Sequence, residues 1–455
     1  MTSSPVPHLP GGLPWLGHAL AFNRDPVALL ARGRAACGEH FRFRLFGQSV
    51  HALLSPKGNE AFFGAPDDQL SAREAYRFTV PIFGPGVASE LMDEQLRMVH
   101  PALRDRPMQA YAAVMQEEVE QFAEGLGESG ELDLPGAMNA LTVLIAGRCL
   151  IGPAFRRRIS SAFARLYHDL EGGINLIAFI APGAPTPANL RRDRARRRVA
   201  ALLAGLIDDC RRPGAAPEDD FLSALVAARY RDGSALSNDA ITGLLLTLLF
   251  AGQHTSAVMA TWAGLLLLQH PDTLALVREE AETVLGDGAA TLARLKRLTV
   301  LERCLKEAER LHPPLVMLMR TVLRDLEVGD KIVPRGGLAL VSPAISHRSP
   351  DAFRCPDQFD PNRFAPGREE DRRTPHSLIG FGGGKHRCIG LAFAQQQVKV
   401  IWSLLLRRFE FELVGPAPRP DYATFVVGPK LPCRLRYRRR VRPALVAAAH
   451  LERVR

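Results

Sequence analysis

From Ala240 to Gln269 the chain carries no Asp, Glu, Lys or Arg, a stretch long enough to cross a bilayer or the whole body of a globular fold. Ser237 offers a side-chain oxygen to cap the stretch and Asp239 a negative charge for its first turn, so it reads as one helix ending near Gln269. Its centre holds Gln253, His254, Thr255 and Ser256. Such a polar block is costly in lipid and useful at a buried site. Ala251 and Gly252, just before it, leave room for a ligand against the helix. The expectation is a buried central helix with a site at its midpoint, and a transmembrane span is the alternative.

A second feature gives that site a partner. Phe381 to Gly390 reads FGGGKHRCIG. The glycines from Gly382 to Gly384 allow a tight turn that can lie flat against a planar ligand. Lys385, His386 and Arg387 place cations before Cys388, which favours its thiolate and offers partners to carboxylates on a cofactor. Gly390 lets a helix from Leu391 to about Arg407 begin close by, with its positive end near the sulfur. An ionised cysteine under a flat ligand is what thiolate-ligated haem needs. A phosphate cradle would need Ser or Thr after the lysine, where His386 stands. Structural zinc would need a second nearby Cys/His pair. A plain buried cysteine beside a glycine turn stays open on this loop alone.

With 455 residues and 47% hydrophobic content the chain can bury a large core. Length alone suggests about two to three domains, but no linker divides the sequence. Seven cysteines lie scattered without a paired pattern, as expected for reduced thiols in the cytoplasm. The N-terminal segment to Phe22 is Pro/Gly-rich and loop-like, and lacks a basic region followed by an apolar one, so no leader or membrane anchor is expected. The net charge of +10 accompanies no nucleic-acid motif, which points instead to an acidic protein partner.

Between these landmarks, Phe41 to Pro56 alternates as a strand pair turning near Gly47. Arg97, His100 and Arg104 fall on one face of a helix from Glu94 to Arg104, either solvated or meeting carboxylates of a cofactor. Helices are expected over Gln109–Gly125, Ala137–Leu150 and Arg156–Glu171. The run RRDRARRR, Arg191 to Arg198, reads as a solvated helix face. Strand-like pieces at Leu326–Val333 and Leu338–Val341 suggest a second small sheet. In KEAERLHPP, Glu307 and Arg310 share a helix face, and with Arg363 of PNRF they suit a buried charged network.

Taken together, AGQHT at 251–255, ExxR at 307–310, PNRF at 361–364 and FGGGKHRCIG at 381–390 resemble the cytochrome P450 family over essentially the whole chain. The resemblance implies a mainly α fold with small β-sheets and one domain over 1–455, with haem b (iron protoporphyrin IX) between the central helix and the cysteine loop. Cys388 would be the iron's axial ligand, with Phe381, Gly382 and Gly390 against the cofactor and Arg320, His386, His100 and Arg97 on its propionates. Thr255, with His254, would organise the protons for splitting oxygen.

A narrower resemblance is to the bacterial sterol 14α-demethylase branch. It rests on His254 before Thr255, on AYRFTVPIFGPGV at Ala75–Val87 and on LHPPLVMLMR. It implies Tyr76, Phe78, Phe83, Ala251, Leu315, Met317 and Phe425 around a sterol or related polycyclic terpenoid. It also implies O2 and electrons from a separate ferredoxin and ferredoxin reductase, with successive oxygenations ending in C–C cleavage. Ser89, Glu90 and the stretch 173–179 depart from the branch. An oxygenase of another terpenoid or polycyclic lipid is therefore the alternative, and a non-catalytic haem sensor a third.

Overall fold

The structure is a computed structural model that describes residues 4–84, 92–158, 161–174, 178, 181–212 and 220–440. Ser237 caps the central helix as expected, its Oγ accepting the Ala240 N–H at 3.1 Å, and the helix runs from Asn238 to Gln269. It is long and apolar enough to span a membrane, yet most of it is buried by other helices. It packs most extensively on the helix Leu134–Leu150, and also on Leu391–Arg408, Thr299–Leu311 and Pro271–Leu285. Gly264 fixes one crossing: a Cβ there would fall 2.0 Å from the Trp402 ring, whose indole N–H donates to the Ala260 carbonyl at 2.8 Å. That crossing sets the helix following Cys388 against the central helix, and the cysteine loop is placed by it.

The expected hairpin is present as β1 (His40–Leu45) and β2 (Gln48–Leu53), antiparallel with Phe41 opposite Ala52. With β3 (Leu70–Ser71), β5 (Leu318–Val322) and β8 (Leu338–Val341) it forms a five-stranded sheet in the order β1-β2-β8-β5-β3. This corrects the second small sheet. Only β6 (Leu326–Val328) and β7 (Lys331–Val333) pair with each other, while the wholly buried β8 lies between β2 and β5. A further sheet had no sequence expectation: β4 (Ser129–Asp133) and β9 (Phe409–Val414) flank β10 (Arg434–Arg439).

Other expectations shift at their ends. The N-terminal segment is loop only as far as His18, because a short helix covers Ala19–Arg24. The helix expected over Glu94–Arg104 stops at Val99, since Pro101 lacks the N–H to continue it, and His100–Leu103 tightens into a 3₁₀ turn. In place of one helix over Arg156–Glu171, helices cover Pro153–Arg158 and Ser161–Glu171, with 159–160 outside the described residues. The arginine run sits in the helix Pro187–Arg211, but not all of it is solvated. Arg192 is buried and bonds Asp193, and Arg196 reaches Asp239 at 2.7 Å.

Candidate functional site

The polar block at the middle of the central helix splits three ways. Gln253 turns into the core, donating to Asn139 Oδ1 at 3.0 Å on the neighbouring helix, and holds the two helices in register. His254 points elsewhere, with Nδ1 2.5 Å from Glu171 Oε1 and both side chains about a quarter exposed. Thr255 donates its hydroxyl proton to the Ala251 carbonyl one turn back, at 2.6 Å, so its oxygen keeps lone pairs for a second partner. Ala251 is exposed and Gly252 half-buried. A Cβ on Gly252 would lie 3.8 Å from the Phe393 ring, on the helix that follows Cys388, so the two sequence landmarks meet here.

The cysteine loop is tight. The Cys388 N–H donates to the Phe381 carbonyl at 2.8 Å, and Gly382, at φ +72°, lies so close to the His386 carbonyl that a Cβ would come within 2.8 Å. The half-buried Phe381 ring packs against the main hydrophobic cluster. Gly390, by contrast, has an ordinary φ of −85°, and a Cβ there would sit 3.8 Å from Cys388 Sγ, in ordinary contact.

The expected source of the thiolate is corrected. Lys385 and His386 do not face the sulfur: both grip Asp67, at 2.7 and 2.6 Å. Burial pushes the Cys388 thiol pKa up and the Glu309 charge adds to the rise, opposed by backbone N–H bonds from Gly390 and Leu391. The protein alone therefore disfavours the thiolate, but holds two backbone N–H donors in place that would stabilise one.

Arg320 is 4% exposed, donates to the Phe62 carbonyl at 2.8 Å and lies over the Phe62 ring at 4.5 Å. Among the described residues no carboxylate is in ion-pair contact with it. Burial lowers its pKa, partly offset by Asp67. A buried guanidinium so placed is a ready partner for an anionic group. Burial, and after it the Arg320 charge, lowers the His386 pKa against the pull of Asp67. The structure thus brings Arg320 and His386 together. His100 is half-buried on the 3₁₀ turn, while Arg97 is exposed on the preceding helix. Two N–H donors on a cysteine sulfur, glycines behind it and a buried arginine without a carboxylate suit a flat cofactor carrying iron and acid groups.

Aromatic residues form two rows. Tyr76 packs on Phe78 (centroids 5.8 Å) and Phe78 on Phe425 (6.3 Å), Phe425 being 45% exposed. Phe83 meets Phe250 edge-on at 5.4 Å, and Phe250 meets Tyr167 at 4.5 Å. Tyr76 also accepts the Met319 N–H at 3.2 Å, which ties the first row to β5. Leu315 and Met317 are half-buried before and at the approach to that strand, Met317 packed against the small cluster of Val316, Ala344 and Val427. Residues 85–87, Ser89, Glu90 and most of 173–179 lie outside the described residues.

The charged network is closed. Glu307, Arg310 and Arg363 are all fully buried. Arg310 forks onto Glu307 at 2.7 and 2.8 Å, and Arg363 reaches the same carboxylate at 3.0 Å. Glu370, which sequence reasoning missed, takes Arg363 at 2.7 Å. Burial acts against its charge, but bonds from Arg368 and Arg363 prevail and hold its pKa below the usual carboxylate value. Glu171, Asp67, Glu309, Phe250 and Tyr167 were also missed. Phe250 alone had a signal, since it adjoins AGQHT.

Comparison with known proteins bears on the family and the fold. The family model described as Cytochrome P450 matches residues 7–434. The chain is 38% identical over 446 residues to a sterol 14-demethylase of Arabidopsis thaliana, covering 95% of this chain and 91% of that protein. It is 39% identical over 448 residues to a sterol 14alpha-demethylase of Mycobacterium tuberculosis, covering 97% and 99%. The solved structure of a retinoic acid-bound cyanobacterial CYP120A1 superposes with a TM-score of 0.86 at 26% identity, covering 96% of this chain and all of that one.

Proposed function

This chain belongs to the cytochrome P450 family of haem-iron monooxygenases, and from that premise we propose that it is a sterol 14α-demethylase, working as one unit around haem b. The observation that carries the reading is similarity over nearly the full length to demethylases of a plant and a mycobacterium alike. Bound haem would supply the binding and reductive splitting of O2 at an iron held by Cys388. The chain's own residues set the conditions. Arg320 and His386 hold the cofactor's acid groups, with His100 and Arg97 as further candidates. Gly382, Gly390 and Phe381 would line the cofactor on the cysteine side.

Thr255 holds its proton on Ala251 at 2.6 Å and accepts from a donor on its free side. Exchange of that bond moves a proton toward the substrate side of the helix. The partly exposed His254–Glu171 pair stands one residue away, with Nδ1 2.5 Å from Oε1, and its contact with solvent suits it to resupply protons. Tyr76, Phe78, Phe83, Phe250 and Phe425 give the apolar walls that a flat polycyclic lipid needs, with Ala251, Leu315 and Met317 completing them. A separate ferredoxin and its reductase deliver electrons, and the enzyme works in the cytoplasm, where its free cysteines stay reduced.

The test is reconstitution of the haem-loaded enzyme with a ferredoxin pair on 14α-methyl sterols and on other polycyclic terpenoids, with products read by mass spectrometry. Oxygen- and reductant-dependent loss of the 14α-methyl group is expected. Oxidation confined to other terpenoids would contradict the sterol reading, and ligand binding without turnover would contradict catalysis.

A further inference from the structure

The helix Thr299–Leu311 carries one buried acid that its charged network does not answer. Glu307 and Arg310 are taken up with each other and with Arg363. Glu309, between them in sequence, is only 5% exposed, yet among the described residues it makes no ion pair. Two cations act on it without bonding it: Lys306 is bound to Asp371 at 2.9 Å, and Arg387 stands exposed. A buried carboxylate without a bonded partner is costly, so the place it occupies calls for a reason.

That place is the start of the cysteine loop. A Cβ on Gly380 would fall 2.4 Å from Glu309 Oε1 and 3.1 Å from its Cδ, so the carboxyl fills the space that a side chain at 380 would need. The path from there to the sulfur is short. Phe381 follows, and its carbonyl takes the Cys388 N–H at 2.8 Å. Just before Gly380, the Ile379 N–H donates to His347 Nε2 at 2.8 Å, and His347 Nδ1 lies 3.2 Å from the Arg310 carbonyl. This imidazole braces the loop against the helix and stays uncharged, because burial pushes its pKa down to about 3. The charged or titratable groups facing Glu309 are therefore Lys306 on its own helix, Asp371 on the short helix Glu370–Arg373, and Arg387 and Cys388 on the loop. Burial outweighs them all and raises the Glu309 pKa to about 8, with Lys306 and Arg387 opposing and Asp371 adding to the rise. A charge on Glu309 in turn opposes an anion at Cys388.

We propose that Glu309 couples reduction of the haem to proton uptake: its carboxyl, pressed on the loop that carries the iron's ligand, takes one proton from solvent as the bound haem takes one electron from its donor. One electron and one proton enter together, an O–H bond forms on the carboxylate, and the net charge of the site is unchanged. Reduction adds negative charge beside Glu309 and makes its anion harder to keep. By linkage, a neutral Glu309 favours reduction by the same factor. Burial and nearby charge are among the means by which a protein sets the potential of its haem. Glu309 touches neither substrate nor sulfur, so it acts through the loop as a positioning residue. The proposal rests on Cys388 as the iron's ligand and not on the identity of the substrate.

The test is a redox titration of the full-length, substrate-free holoenzyme across neutral and alkaline pH, for wild type, Glu309→Gln and Gly380→Ala. The reduced carbon monoxide spectrum checks ligation in each. In wild type the equilibrium constant for reduction is expected to be level up to about pH 7.5 and then to fall about tenfold, or about 59 mV for a one-electron couple, as Glu309 ionises. Glu309→Gln, close in shape to the neutral acid, should keep the low-pH wild-type value throughout. Gly380→Ala should push the carboxyl off the loop and move the fall to lower pH, since a less buried acid ionises earlier. His386 and the cofactor's acid groups are common to all three proteins, so the differences isolate Glu309. A purely structural role would change haem retention and leave the pH dependence common to all three. The proposal is overturned if wild type shows no fall, if Glu309→Gln shows the same fall, or if Gly380→Ala leaves the fall in place. Should Glu309→Gln not load haem, the position of the fall in Gly380→Ala decides. A thiolate spectrum with a pH-independent potential would defeat the coupling and leave the ligation standing, whereas a histidine-type spectrum would defeat both.

Discussion

Two charged regions of this fold are built on opposite principles. Around Glu307, every charge is buried and answered: two guanidiniums share one carboxylate, a second carboxylate backs the outer arginine, and backbone carbonyls take remaining N–H groups. Around Thr255 and Cys388 the groups are left partly open. Thr255 bonds only its own helix, His254 and Glu171 are reached by solvent, and Cys388 is held as a thiol that burial alone would not ionise. The contrast teaches which region is scaffold and which is chemistry, because a closed network resists change whereas an open one can take up a partner.

The sharpest way to break the comparison is Glu307→Ala, which strands the buried Arg310 guanidinium and leaves Arg363 with Glu370 alone, and should cost about 3–5 kcal/mol. The expected outcome is loss of soluble, haem-loaded protein, followed by denaturant titration of whatever survives; a stable holoenzyme would mean the network is not structural. Thr255→Ala should leave folding and optical substrate affinity alone, yet cut product per reductant consumed by about 10²–10⁴-fold. An unchanged ratio, or affinity falling as steeply as product, would make Thr255 a packing residue. Arg320→Ala should speed haem loss to apomyoglobin about tenfold. His386→Ala should do so less, because Asp67 already engages that ring.

The smallest effect sharpens the contrast within one helix. Glu309 is buried beside Glu307 but lacks its arginine fork, and burial pushes its pKa up to about 8 from 4.5. A carboxyl raised in this way contributes fully below its unfolded pKa, and that contribution is lost as pH rises toward 8. Glu309→Gln should therefore be near neutral at pH 4 and increasingly stabilising as pH rises toward 8, read as a pH-dependent difference in denaturation midpoint. A constant offset across that range would contradict the burial argument.

What could be read in advance follows the range of the interaction. The central helix was legible because its cap, first-turn charge and apolar length are local. The Glu307 network was legible because buried arginines at fixed spacing require a carboxylate. The sheet of β4, β9 and β10 was not, since β4 reads as Ser-Gly-Glu-Leu-Asp and becomes a strand only by pairing with residues far along the chain. The partners of the site failed to appear for the same reason: Glu171 and Asp67 are ordinary surface-type acids until folding sets them against His254 and His386. Proximity in sequence is a poor guide at the cysteine loop, where Lys385 and His386 turn to Asp67 and not to the sulfur beside them. The stop at Val99 has a visible local cause, because the missing N–H of Pro101 outweighs the helix-face periodicity that continues past it.

The most direct measurement of the central claim is the optical spectrum of freshly purified, reduced protein under carbon monoxide, for wild type and Cys388→His. The account predicts the red-shifted Soret band of thiolate-ligated haem in wild type and its absence in the variant, because sulfur at Cys388 donates strongly to the iron. A wild-type spectrum typical of histidine ligation, or a thiolate band that survives the substitution, would contradict it.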